Sequence, residues 1–178
     1  MASSAPELTP RAREIVDAAL VLLEEEGYES LSMRRLAERL GIRAPSLYKH
    51  LPDKQALETA LIAAGFEEWA RAFEDASSSV EPVAAFVAVY RDFANGHPHL
   101  YRLMTERPLD RDRLPAGLEE RTAAPLVAAV GGDPDLARAA WAFAHGMTIL
   151  ELNGRFPEGA DLDAAWTRGV EALFAASG

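Results

Sequence analysis

The chain contains no cysteine in 178 residues, which excludes disulfides, thiolate metal sites and a cysteine nucleophile. Lysine is nearly absent too, with Lys49 and Lys54 the only two. No long apolar run exists: the longest clean one, Val83 to Tyr90, is far too short to cross a bilayer. The opening residues MASSAPELTPR carry neither the basic region nor the apolar stretch of a secretory leader. These absences predict a cytoplasmic protein with no membrane partner. Positive charge is also in short supply, 18 Lys and Arg against 28 Asp and Glu, for a formal net charge of -10. Taken over the whole chain, that balance repels nucleic acid. Internal repeats, heptads and convincing strands are missing as well.

What is present is helix-forming. Apolar residues make up 49% and charged residues 26%, with Ala, Leu, Glu and Arg abundant. A chain of this length buries roughly 70% of its unfolded surface, as one domain or a pair sharing a core. Thr9-Pro10 predicts a capped start, and Ile15, Ala19, Leu22 and Leu23 repeat at helical spacing up to Gly27. Ser32 caps a second helix with Leu36, Ala37 and Leu40 as its stripe. Gly41 then supplies a left-handed ending that folds Ile42 back. Pro45 begins a third helix of barely two turns, anchored by Leu47 and Leu51. A long helix, 54–75, follows with Ile62, Phe66, Trp69 and Phe73 as its stripe, and SSSVEP (77–82) is a linker. Further helices are predicted around Phe86, Tyr90 and Phe93, over Pro98 to Thr105, over Leu118 to Val130 with Pro125 inside, from Asp133 to about Asn153, and from Asp161 onward. The prediction is an all-α protein of about nine helices.

Charge is unevenly placed. Between residues 31 and 54 six cations, Arg34, Arg35, Arg39, Arg43, Lys49 and Lys54, face only Glu38 and Asp53, a net of +4. Residues 61–178 carry ten Arg against eighteen acids, a net of -8. The cationic stretch is also where three short helices meet a Gly-containing turn, the arrangement of a helix-turn-helix. Its third helix turns Ser46, Tyr48, Lys49 and His50 outward, all able to donate to phosphate or base edges, with Ala44 and Pro45 small enough to approach a thymine methyl. Glu24 to Glu26 read as a solvated run.

Residues 14–62, EIVDAALVLLEEEGYESLSMRRLAERLGIRAPSLYKHLPDKQALETALI, resemble the DNA-binding domain of the tetracycline-repressor (TetR) family. Gly27-Tyr28, Leu31-Ser32-Met33-Arg34, Leu36-Ala37, Leu40-Gly41, Ser46-Leu47-Tyr48, His50 and Lys54 fall at the family's spacing. The resemblance implies contacts from Met33 and Arg34 at the start of helix two, base reading by Ala44, Pro45 and Ser46, mixed phosphate and base contacts from Tyr48, Lys49 and His50, and a phosphate contact from Lys54. Two positions depart from the family. Arg43 stands where a capping residue such as Ser is frequent and is expected to affect specificity, and Leu51 replaces a phenylalanine.

The second half resembles a regulatory domain of one branch of that family, named for a Trp, a His and a Gly that here are Trp141, His145 and Gly146 in ARAAWAFAHGMTILELNGRF. This helix is apolar nearly all round and must be covered on both sides. The expectation is a helix-turn-helix domain at 1–53, then a ligand-binding and dimerisation domain at 54–178, with helix 54–75 connecting them. The expected dimer interface is Phe143, Gly146, Leu150, Leu162, Trp166, Val170 and Leu173. Phe86, Tyr90 and Phe93 are most simply core packing, though the resemblance implies a pocket that would be drawn from Phe66, Phe86, Tyr90, Phe93, Tyr101, Met104, Trp141, His145 and Met147. His145 itself fits a hydrogen-bonded core histidine. His97 and His99 lack a third metal ligand, so neither metal nor cofactor is expected.

The function these features imply is a homodimeric transcriptional regulator. It would act as a repressor bound to an inverted-repeat operator in double-stranded DNA and released by an apolar or aromatic small molecule. Two other readings stand beside it. One is a helical ligand-binding module with vestigial DNA binding. The other is a small helical enzyme using His145 and Glu151, which lie six residues apart and do not share a helix face.

Overall fold

The Thr9 hydroxyl accepts a hydrogen bond from the Ala12 N–H at 3.2 Å, and Pro10 takes the first helical position, where its missing N–H costs nothing. Helix α1 therefore runs Pro10–Glu26 and ends at Gly27, whose φ of 77° suits glycine. The computed structural model describes residues 8–79 and 81–175. The leader reading of residues 1–7 and Val80 of the predicted linker lie outside them.

Ser32 caps α2 (Met33–Arg39) by accepting from the Arg35 N–H at 3.2 Å. The helix closes as its sequence predicts. Gly41 adopts φ 64° and donates to the Glu38 carbonyl at 3.1 Å, while Ile42 donates to Ala37 at 3.0 Å, the paired bonds of a Schellman ending. Helix α3 is shorter than predicted: Ala44–Leu47, followed by a turn through His50. After it come α4 (Lys54–Ser77), α5 (Pro82–Gly96), α6 (Pro98–Thr105), α7 (Leu118–Ala129, with Pro125 inside), α8 (Pro134–Leu152) and α9 (Leu162–Ala175). Among the described residues there are nine α-helices, short 3-10 turns at Tyr28–Ser30 and Arg111–Arg113, and no strand.

Packing groups these helices into two compact units, residues 1–67 with 97–119 and residues 68–96 with 120–178. None of the three boundaries, 67/68, 96/97 and 119/120, falls at the 53/54 division drawn from the sequence. The reason is visible in the first unit, where α6 docks on α1. Glu24 of α1 accepts from the His99 N–H at 3.2 Å and the Leu100 N–H at 2.8 Å, so one side chain satisfies two donors of the first turn of α6. Leu22, Leu23, Leu36, Leu47, Leu57, Leu61 and Leu100 are buried in this unit. Glu24 is thus not part of a solvated run.

The core of the second unit is aromatic. Trp69 stacks on Tyr90 at 5.0 Å between centroids and meets Phe93 at 4.9 Å, and Phe73 stacks on Phe86 at 4.6 Å. Helix α8 buries Ala137, Ala140, Ala144 and Thr148 on one side. Helix α9 lies on α8 and α5, with Arg91 of α5 bridging Glu151 (3.3 Å) and Asp163 (2.7 Å). Gly169 of α9 faces the Phe143 ring so closely that a methyl group in its place would overlap the ring. Gly169→Ala should therefore lower stability by about 1–3 kcal/mol, the ordinary cost of overpacking, measured as a shift in denaturant midpoint at unchanged slope.

Candidate nucleic-acid interface

Helix α3 has a single buried side chain, Leu47, and Leu51 just beyond it is buried too. The other side chains around them turn outward. Arg43, Pro45, Ser46, Tyr48, Lys49 and His50 are exposed, Tyr48 to 49% of its surface, and Ala44 is half-buried. Arg43 stands at the cap of α3 and makes no side-chain hydrogen bond to its first turn. An exposed phenol on a soluble face leaves a large ring without packing, and here it lies among the donors that the sequence places on the outward face.

The six cations of this region divide into two groups. Arg35 is held against the end of α1, its Nε and Nη2 donating to the two oxygens of Glu26 at 3.1 and 2.9 Å, and Arg39 Nη1 donates to Glu25 at 2.7 Å. These pairs tie α2 to the end of α1, so Glu25 and Glu26, like Glu24, have work that the sequence does not disclose. Arg34 is exposed and 3.6 Å from Glu38. Lys54 lies 3.6 Å from Glu58 and 4.2 Å above the Tyr28 ring. Arg43 and Lys49 have no ion-pair partner among the described residues. Met33 is the exception among the predicted contacts: only 6% exposed, its side chain packs in the core, and the surface at the start of α2 belongs to Arg34.

Candidate ligand and dimer residues fall in both units. Phe66, Tyr101 and Met104 belong to the first unit, Tyr101 fully buried there and Met104 packed against Gly65. Phe86, Tyr90 and Phe93 lie in the aromatic core of the second. Trp141 is 48% exposed, with the His145 ring 6.4 Å from it, and Met147 is half-buried. A cleft of about 10 Å³, barely the room of one water, is lined by Phe86, Leu126, Phe143, Trp166, Val170 and Leu173 among others. Trp166 is a correction. It is 2% exposed within its own chain, its indole N–H donates to Glu151, and its ring meets Phe143 edge-on at 5.5 Å, so its surface is covered by its own chain. Leu162, Val170 and Leu173 are half-buried, because α9 already rests on its own α5 and α8. The outward side of α8, opposite its buried alanines, carries Ala139, Ala142, Gly146 and the 41% exposed Leu150, while Trp141 is exposed on the flank beside the buried Thr148. Glu151, named with His145 in the enzymatic reading, is engaged by Trp166 and Arg91.

Residues 83–173, just over half of the chain, match the family described as "Tetracyclin repressor-like, C-terminal domain". The chain belongs to the TetR family. Residues 15–61 match "Bacterial regulatory proteins, tetR family", which places the exposed face of α3 within the helix-turn-helix of a TetR-family transcriptional regulator. An uncharacterized HTH-type transcriptional regulator of Mycobacterium tuberculosis, Rv0681, is 32% identical over 175 residues, covering 86% of this chain and 75% of its own. The class D tetracycline repressor of Escherichia coli is 51% identical over 47 residues, only 26% of this chain and 22% of its own. Among solved structures, a Rhodococcus sp. RHA1 protein of unknown function superposes with a TM-score of 0.76 at 26% identity, covering 94% of this chain and 95% of that one. TetR-Q116A from Acinetobacter baumannii AYE in complex with minocycline gives 0.65 at 28% identity, covering 96% of each. Among the described residues no helix of this TetR-family chain is long and apolar enough to cross a membrane.

The Arg35 hydrogen bonds hold the Glu26 carboxyl below the usual carboxylate range. A carboxyl lowered on folding contributes stability that is complete above its unfolded value, near 4.3, and is lost as the pH falls through the lowered one. Glu26→Gln should therefore remove part of the acid-side decline, flattening stability against pH below about pH 5, as read from denaturant melts across a pH series.

Proposed function

We propose that the protein is a cytoplasmic, non-enzymatic homodimeric repressor. In this reading it binds an inverted-repeat operator in double-stranded DNA through α3 and lets go when an apolar or aromatic small molecule enters the helices of its second unit. It uses no metal or other cofactor. The observation that carries the DNA reading is the sorting of charge: Arg35 and Arg39 are spent on α1, while Arg43 and Lys49 flank Ser46, Tyr48 and His50 on an exposed face with no carboxylate to neutralise them. A phosphate oxygen supplies the missing partner, and guanidinium is well suited to it. Ser46, Tyr48 and His50 then meet base edges or sugar-phosphate, and Ala44 with Pro45 allows close approach to a thymine methyl. Arg34 and Lys54 add contacts on either side.

Two copies support this chemistry better than one. A four-residue helix with a handful of donors reads only a short half-site, and a two-fold dimer reads two of them about 34 Å or a multiple apart. The outward side of α8 fits that role, since Ala139, Ala142 and Gly146 permit close helix packing and Leu150 beside them stands exposed on a single chain. The effector reading rests on the aromatic and apolar lining of the second unit, and on the minocycline carried by the Acinetobacter baumannii structure. Effector and operator would then be linked reciprocally by about 1–3 kcal/mol.

Two measurements test these statements. On a duplex taken from immediately upstream of the protein's own coding region, Arg43→Ala and Lys49→Ala should each weaken binding and lower the slope of log affinity against log salt by about one unit, if each loses one phosphate. Unchanged slopes in both would move the interface away from α3. Ala142→Arg places a long cation in the middle of the outward α8 face and should turn the dimer into monomer, read as halved mass by light scattering, with loss of operator affinity. An intact Ala142→Arg dimer would put the interface elsewhere.

A further inference from the structure

Outside the helix-turn-helix, the most unusual charge arrangement in the first unit surrounds Tyr28. Its phenol donates to Glu58 Oε1 at 2.6 Å, which fixes the ring. Two cations then lie over that one ring: Lys54 Nζ at 4.2 Å from its centroid and the Arg107 guanidinium carbon at 3.4 Å. Lys54 has Glu58 nearby at 3.6 Å. Arg107 is exposed and has no carboxylate partner among the described residues, and its neighbour Glu106 is already bonded to Arg102 at 2.9 Å. Glu29 also acts on the Tyr28 phenol, but it forms no ion pair with either cation among the described residues.

The segment that carries Arg107 is tied to the start of α4 by other bonds. Asp110 accepts from Gln55 Nε2 at 3.0 Å, and Arg113 lies 3.2 Å from Asp110 and 3.9 Å from Asp53. Asp53 in turn accepts from the Ala56 N–H at 2.6 Å, which caps α4 only two residues after Leu51, the apolar anchor beyond α3. Residues 107–113 are therefore held beside the start of α4 by two contacts, Gln55–Asp110 and Arg113–Asp53, and two of their arginines, Arg111 and Arg113, are consumed by Glu119 and Asp110. Arg107 is the one left over. A guanidinium 3.4 Å above a ring touches it through its flat face, which leaves free the N–H edge that makes paired bonds to phosphate oxygens.

We propose that Arg107 and Lys54, gathered on the Tyr28 ring, form a phosphate-binding station for the DNA backbone beyond the contacts of the helix-turn-helix. The assignment rests on the DNA-binding reading of α3 and adds to it a residue from the loop after α6. In the free protein the two like charges share one ring, and only Lys54 has a carboxylate, Glu58, nearby, so an anion arriving at the uncompensated Arg107 gains charge-assisted hydrogen bonds. The contact reads no sequence. It fixes register and adds one more released counterion to binding.

The experiment measures affinity of the full-length protein across a salt series, on a duplex about four helical turns long from upstream of its coding region and on a mixed-sequence duplex of equal length. Arg107→Ala should lower the salt slope by about one unit on both duplexes, so that between 50 and 200 mM salt its affinity falls about three- to fourfold less than that of the wild type. Arg107→Lys should restore most of the slope. The double variant Lys54→Ala, Arg107→Ala should lose about two units, because each cation meets a phosphate. A wild-type slope for Arg107→Ala overturns the station. A double variant no different from Lys54→Ala alone also overturns it, since Arg107 would then only position Lys54. Lys49→Ala separates the two levels. If it also leaves a weak, salt-insensitive wild-type affinity unchanged, the DNA-binding reading itself fails and the station fails with it; if it lowers the slope while Arg107→Ala does not, only the station falls.

Discussion

A helix of four residues does not persist in water by itself, because nucleating the first turn fixes several dihedrals for a single hydrogen bond. The centre of the candidate interface, Arg43 to His50, nevertheless sits on such a helix and the residues that flank it. Its orientation comes from outside: the buried Leu47 and Leu51 behind it and the left-handed Gly41 before it. The cap of α4 by Asp53 follows directly after. Every outward donor from Arg43 to His50 inherits its direction from these few fixtures. A short element that spends one residue on the core has all its others available for a partner, which is why so small a helix presents so dense a set of polar groups.

The next layer of support is electrostatic and comes from the end of α1. Glu24, Glu25 and Glu26 are consecutive, so their side chains leave the helix about 100° apart and reach different neighbours. Glu24 meets the first turn of α6, Glu25 meets Arg39 and Glu26 meets Arg35. Exposed ion pairs of this kind are each worth little, roughly 0–1 kcal/mol. Their effect here is directional: they turn two arginines of α2 toward α1 and leave the cationic face to Arg34, Arg43 and Lys49.

Most of the local structure was legible in the sequence, and for local reasons. Thr9, Ser32 and Asp133 cap the helices they were expected to cap, and Gly41 with Ile42 makes both bonds of the predicted ending. Such signals depend on residues within one turn of each other. The outward set on α3 was legible as well, because helical periodicity alone separates Leu47 from Ser46, Tyr48 and Lys49. What pattern does not say is what a side chain meets when its partner is distant in the chain. A run of three glutamates looks solvated until Arg35, Arg39 and the start of α6 are placed beside it. Met33 starts a helix, and only packing shows that it faces inward. Trp166 belongs to an apolar stripe that asks to be covered, and the stripe does not state whether the cover is the same chain or another. Here Phe143, Glu151 and Arg91 of the same chain supply it.

The scarcity of lysine has a practical side. Both primary amines carried on side chains fall within five residues of each other, one exposed at Lys49 and one beside Tyr28 and Glu58 at Lys54. Apart from the chain terminus, amine-directed reagents and lysine-modifying enzymes therefore have nowhere else to act. Acylation of this chain is a chemical footprint of a single face, with Lys49 the more accessible of its two targets.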